Sequence, residues 1–187
     1  MLDLIIRNAS IPDEPALLDI ACREGRIVER AAHIDSQAEV EIDAKGYLVS
    51  PPFVDSHFHM DSTLTYGRPR VNESGTLLEG IRLWGEFKST LSSDDFEQRA
   101  LMLCRWAVAK GNLAIRSHVD ISDPSLTAAH VLLSVKEKVK PWLDLQLVAF
   151  PQDGFYRHPD AQKQLEQSLD LGIDVVGGIP HFERSYE

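Results

Sequence analysis

His57-Phe58-His59 is the pattern in this chain best suited to chemistry. The pair closes an apolar run, Phe53-Val54-Asp55-Ser56, that reads as a short strand. Residues two apart on a strand project to the same side, so both imidazoles can meet one ion. Imidazole suits Zn²⁺, Fe²⁺ and similar cations. A bare pair of this kind is more often two surface or capping histidines. The setting favours the metal reading here: Pro51-Pro52 precede the strand, and Asp55 and Asp61 are placed to orient the ring N–H groups from behind.

The elements that must hold these residues follow from periodicity. After the histidine pair, Leu77, Ile81, Trp84 and Phe87 recur at helical spacing. A second helix is predicted from Ser92, with Asp95 as its acidic capping partner, through Phe96, Ala100, Leu103 and Ala107 to Lys110-Gly111. Strand and helix then alternate. Strands are predicted at Leu113 to Val119, Leu143 to Phe150 and Ile173 to Ile179. Helices are predicted from Asp123-Pro124 to about Val139 and from Ala161 to Leu171. Four mostly apolar strands separated by helices indicate a parallel α/β sheet covered by helices. That count suits a small doubly wound domain or half of a (β/α)₈ barrel.

Residues 1–50 differ in character. Leu2 to Asn8, Leu17 to Cys22, Gly25 to Val28, Glu39 to Asp43 and Tyr47 to Val49 read as short antiparallel strands, with a hairpin turn at Arg23-Glu24-Gly25. They are expected to form part of a small β-sandwich, with residues 51–187 as a separate α/β unit.

Composition removes other classes of function. The chain has 187 residues, 43% of them hydrophobic and 26% charged, which is globular and not disordered. With 19 Lys and Arg against 29 Asp and Glu, its formal charge of −10 speaks against nucleic acid or an anionic membrane as partner. Cys22 and Cys104 form no CxxC, so neither a disulfide framework nor a zinc ribbon is expected, and a reducing cytoplasm is the natural location. Met1-Leu2-Asp3 lacks the basic start of a secretion signal, and no apolar run approaches membrane-spanning length. No phosphate-binding GxGxxG or GxxxxGK[ST] is present.

The stretch EIDAKGYLVSPPFVDSHFHMD resembles the opening of the barrel in the amidohydrolase superfamily, and DLIIRNA resembles the N-terminal strand of those enzymes. SGTLLEGIRLW, RSHVDISD, DLQLVAFPQDG and DVVGGIPHFE resemble, in the same order and at similar spacing, the cytosine deaminase branch of that superfamily. The branch also includes enzymes acting on related triazine and pyrimidine rings. The likeness runs from about Asp3 to Glu183.

This resemblance implies the first half of an amidohydrolase-type (β/α)₈ barrel with part of a β-sandwich, and one divalent metal ion, Fe²⁺ or Zn²⁺. His57 and His59 match metal ligands. Gln152 matches the glutamine that reads an amide edge of the substrate ring, a role suited to a carboxamide with one donor and one acceptor side; without the resemblance it would read as an exposed loop residue. Leu77 matches a residue beside the substrate, and reads equally well as core. His118 and Asp120 are pocket candidates, although a satisfied structural histidine is the simpler reading of His118. His181 is placed in or just behind the pocket. The fourth strand carries no lysine, which argues for one metal and not two. The resemblance puts the remaining metal ligands and the proton-shuttling glutamate on later strands, beyond Glu187, so no catalytic acid or base is assigned and residues 1–187 alone are expected to be inactive.

Metal-dependent hydrolytic deamination of cytosine or a close N-heterocycle is therefore expected, with a possible homo-oligomer. The alternatives are hydrolysis on isocytosine or an N-alkyl triazine, and a non-catalytic half-barrel that depends on a partner.

Overall fold

The structure is a computed structural model describing residues 1–183, except for the side chain of His181. It forms two compact units, Met1–Pro51 and Pro52–Glu187. No helix of the described residues is long and apolar enough to cross a membrane.

The first unit is one four-stranded sheet. β1 (Leu2–Ala9), β2 (Leu18–Arg23) and β3 (Arg26–Ala31) pair antiparallel in sequence. The predicted hairpin turn is present, with Glu24 and Gly25 both at positive φ, 50° and 70°, as a tight turn between twisted strands requires. β4 (Ala38–Asp43) pairs with the free edge of β1, but parallel to it, which corrects the expectation of a wholly antiparallel arrangement. The reason lies in residues 32–37, which cross over instead of turning back. Ile34 is buried within this crossover. Its N–H donates to Asp19 Oδ2 at 3.1 Å, and its carbonyl accepts from the Arg7 guanidinium at 2.5 Å. Arg7 and Asp19 pair with each other at 2.9 Å, so one ion pair fastens the crossover. Tyr47 to Val49 is not a strand. It contributes one isolated parallel bridge, Ser10 to Leu48.

The second unit contains four parallel strands in sequence order: β5 (Phe53–Phe58), β6 (Asn112–Asp120), β7 (Asp144–Phe150) and β8 (Val175–Val176). A doubly wound sheet would place the first of these in the middle. The observed order is that of a barrel opened along one side. Between the strands run α1 (Leu77–Lys88), α2 (Ser93–Ala109), α3 (Thr127–Val139) and α4 (Ala161–Asp170). α2 and α3 bury Phe96, Ala100, Cys104, Ala129, Leu132, Val135 and Val139 against Ile115, Val119, Leu145, Leu147 and Ala149 of β6 and β7. Alternation along the strands therefore leaves Arg116, His118 and Asp120, and Gln146, Val148 and Phe150, on the opposite face.

α2 begins and ends as its sequence predicts. The Ser92 side chain caps the N–H of Asp95, and Gly111 follows at φ +82°. α3 starts later than predicted, at Thr127 and not at Asp123. Asp123 instead builds a turn, accepting the N–H groups of Ser125 and Thr127, and Leu126 sits in the left-handed region at φ 49° with its side chain buried. Asp123 still serves the helix end, but from one turn away.

β8 is the larger departure. The predicted strand from Ile173 to Ile179 pairs over only two residues. At its start, the Asp174 carboxylate takes the Leu147 N–H at 2.8 Å, replacing a strand carbonyl. At its end, a Cβ on Gly177 would stand 2.7 Å from Val148 Cγ1 and 2.9 Å from the Ala149 carbonyl oxygen. Only glycine permits that approach. We predict that Gly177→Ala destabilises the full-length protein by about 1–3 kcal/mol, the usual penalty of overpacking, read as a lower urea midpoint with an unchanged slope.

Candidate active site

The parallel register sets the site. Phe58 pairs with Ser117, His118 with Val148, and Asp120 with Phe150, so the C-terminal ends of three strands finish at one level. The β5–β6 register shifts between Asp55 and Phe58. Phe58 packs into the helix-side core, and His57 and His59 project to the other side. Beyond the strand, the Met60 N–H donates to the buried Ser117 hydroxyl at 2.9 Å, which fixes the turn that carries His59.

His57, His59 and His118 converge there. Each offers a ring nitrogen, and these atoms lie within 4.8 Å of one another. The His57 and His118 rings stack with centroids 4.1 Å apart and an interplanar angle of 22°. The His59 ring lies 5.4 and 5.3 Å from those two. Phe150 meets both His59 and His118 edge to face, at 5.3 and 5.4 Å. His118 thus belongs to the cluster, against its simpler reading as a structural histidine. The available signal was its place in RSHVDISD, where strand alternation sets His118 and Asp120 on one face and Ile115, Ser117 and Val119 on the other.

Burial lowers the His59 pKa to about 4, helped by the neighbouring His118 and His57. Burial and His57 also lower that of His118. These two rings are therefore held as free bases, the form that ligates a metal. A set of imidazole donors is well matched to a borderline divalent cation.

The carboxylates behave differently from expectation. Asp55 accepts the backbone N–H of His57 at 3.2 Å. Asp61 is buried and accepts the backbone N–H groups of Ser62 and Asp120, both at 2.8 Å. Both acids thus shape the backbone around the histidines, where an imidazole N–H was the expected partner. Burial pushes the Asp61 carboxyl up to about 7, although the two N–H donors favour its charged form.

His57 and His59 face a cavity of about 520 Å³. Gln152 lines it together with His57 and His59, and is only 9% exposed, so it is no loose surface residue. Leu77 is the first residue of α1, lines the same cavity and is 68% exposed, which rules out its reading as core. His181 lies outside the described side chains.

Trp84 on α1 was read from sequence only as part of a helical pattern, and Lys88 was not singled out. In the structure Trp84 lines the cavity, and its Nε1 donates to Asp120 Oδ2 at 2.6 Å. Lys88 Nζ reaches the same oxygen at 3.2 Å and Asp153 Oδ2 at 2.9 Å. Their spacing of one helical turn on the face carrying Ile81 was the available clue.

A model of the amidohydrolase family matches residues 40–174. The chain belongs to this family. Among curated relatives, the chain is 34% identical to N-isopropylammelide isopropyl amidohydrolase of Pseudomonas sp. strain ADP, over 95% of this chain and 45% of that protein. It superposes on the crystal structure of 5-methylcytosine deaminase from Klebsiella pneumoniae liganded with phosphonocytosine, with a TM-score of 0.90 and 40% identity, covering 97% of this chain and 45% of that one. N-isopropylammelide isopropylaminohydrolase from Burkholderia multivorans gives 0.79 and 28%, covering 95% and 45%. The chain thus spans a little under half the length of these relatives. The likeness to bacterial cytosine deaminases drawn from the motifs is borne out, as is the partial amidohydrolase barrel.

The depressed His59 pKa has a testable sign. Unfolded, the ring takes up its proton near 6.5; folded, near 4. As pH falls from about 6.5 to 4 the unfolded chain binds the proton first, so this group withdraws stability over that window. Asp61 acts oppositely, because its folded pKa of about 7 exceeds the usual 3.8. In the metal-free full-length protein, ¹H–¹⁵N spectra of the imidazoles should show His59 still neutral at pH 5.5.

Proposed function

We propose that the protein containing this chain is a metal-dependent hydrolase that deaminates cytosine or a closely related N-heterocycle, releasing ammonia. The observation that carries this reading is the convergence of His57 and His59 with Gln152 on one cavity at the C-terminal edge of a parallel sheet.

In this reading His57 and His59 hold one divalent ion, Fe²⁺ or Zn²⁺, and His118 supports them by stacking on His57. A bound ion supplies Lewis acidity, which makes water acidic enough to furnish hydroxide near neutral pH. Gln152 orients the ring, its carboxamide offering a donor and an acceptor to an N–H/C=O edge. Leu77 borders the substrate from the start of α1. Phe150 packs against the imidazoles and keeps water from their flanks. Asp61 holds the turn after His59 through backbone N–H groups, and so keeps the second imidazole aimed at the cavity.

Residues 1–50 are proposed as part of a small β-sandwich, and residues 51–187 as the first four β/α units of a barrel. Cys22 and Cys104 are unpaired, which supports a cytoplasmic location.

A second reading is hydrolysis of an N-alkylated triazine, favoured by the likeness to the two N-isopropylammelide enzymes. The leaving group distinguishes them. A panel of cytosine, 5-methylcytosine, isocytosine and N-isopropylammelide on the full-length protein should release ammonia from a pyrimidine under the first reading, and isopropylamine under the second. Release of neither, with metal bound, would refute both readings. His57→Ala should remove metal and turnover together; turnover retained by a metal-free variant would refute the metal site. Gln152→Leu should lower kcat/KM by about 10²-fold while metal content stays at the wild-type level, because the ring's N–H/C=O edge leaves water and finds no partner.

A further inference from the structure

We propose that Trp84 is the wall that sets which ring substituents the cavity admits, and that Lys88 is the positioning residue that keeps this wall at a fixed distance from Gln152. The inference deepens the deaminase reading above and rests on it.

The cavity is chemically divided. His57, His59 and Gln152 supply its polar side, and Leu77, Ile81 and Trp84 form a continuous apolar strip from successive turns of α1. Of these three, Trp84 alone offers a flat aromatic face, the natural partner of a planar heterocycle. A half-buried indole N–H is matched by an acceptor, Asp120 Oδ2 at 2.6 Å, from the end of β6. That bond fixes the plane of the indole, so the wall cannot swing aside for a larger guest.

Lys88 completes the arrangement. Its side chain is 18% exposed, and its ammonium joins Asp120, whose side chain is 3% exposed, to Asp153. Asp153 directly follows Gln152. One cation therefore ties α1, the end of β6 and the loop carrying the ring-reading glutamine. The Asp153 N–H, donating to Ser122 Oγ at 3.1 Å, anchors the same loop from its other side. Binding the two charges of Asp120 and Asp153 outweighs the burial that would lower the Lys88 pKa, and the net shift is upward.

Trp84 can be observed by difference, because Trp84→Phe leaves every other tryptophan of the full-length protein in place. Trp106 and Trp142 are 54% and 38% exposed and do not line this cavity. Two measurements on the full-length protein test the proposal. The first is tryptophan fluorescence with uracil, a ring that is not turned over. Binding should change the emission of the wild type, and the change should be clearly smaller in Trp84→Phe. The second is selectivity, the ratio of kcat/KM for an N-alkylated ring to that for cytosine. Trp84→Ala should raise this ratio about tenfold or more, mainly through KM, the order expected for one or two methylenes of pocket space. Lys88→Met should move it the same way with metal content unchanged, and Lys88→Arg should restore it. A ratio unchanged in Trp84→Ala, or a fluorescence response of undiminished size in Trp84→Phe, would overturn the wall while leaving deamination intact. A response diminished in Trp84→Phe, from a protein that deaminates nothing, would keep the wall and sink the deaminase reading.

Discussion

Asp120 brings a carboxylate to the end of a strand that has almost no water around it, and much of the second unit is arranged to satisfy that group. Its oxygens receive the Trp84 indole, the Lys88 ammonium and the Ser122 N–H, and its own N–H goes to Asp61. A buried carboxylate without partners would be costly, whereas one with this many directed donors is a rigid junction. Four segments meet at it: α1, the end of β6, the loop that follows, and the turn after the histidine pair. The positions of Gln152 and His59 are fixed through this junction as much as through the strands themselves.

The histidine cluster depends on the same principle of burial with the right partners. Packing against Phe150 takes His59 out of water, and the neighbouring rings add to the effect, so the imidazole loses its proton affinity. The cost of burying a base thereby becomes readiness to ligate. Arg99 plays the matching role on the backbone. Buried between Phe87 and Phe96, it donates to the carbonyls of Asp61 and Thr63 and pairs with Asp95. The segment that continues from the histidine pair is held from the helix side and from β6 at once.

Most of the α/β order was legible because periodicity is a local property. The faces of α1 and α2, the cap at Ser92 and the apolar runs of β6 and β7 can be read from neighbouring residues, as can the HxH pair at a strand end. What was not legible depended on distant partners. β8 shrinks because Asp174 and Gly177 answer to β7, some thirty positions earlier in the chain. The parallel β4 follows from a crossover held by Arg7 and Asp19, and α3 begins late because Asp123 turns the chain first. His118 and Trp84 could be placed on their faces from spacing alone. That Trp84 lines the same cavity as Gln152, and that His118 stacks on a histidine lining it, are facts of tertiary structure.

The irregular pairing of β5 has a consequence for how this sequence can vary. The register slips between Asp55 and Phe58, immediately before the paired imidazoles, while β6 and β7 pair without interruption from Ala114 to Asp120. Side chains on a strand alternate, so removing or adding a single residue between Phe53 and His57 would reverse both histidines at once and send Phe58 into the cavity. The exposed stretch around Tyr66 to Glu73 carries no such phase. Length polymorphism among homologous chains should therefore gather in that stretch and be purged from the short strand before it, so that the spacing from Pro52 to His59 becomes the least negotiable distance in the sequence.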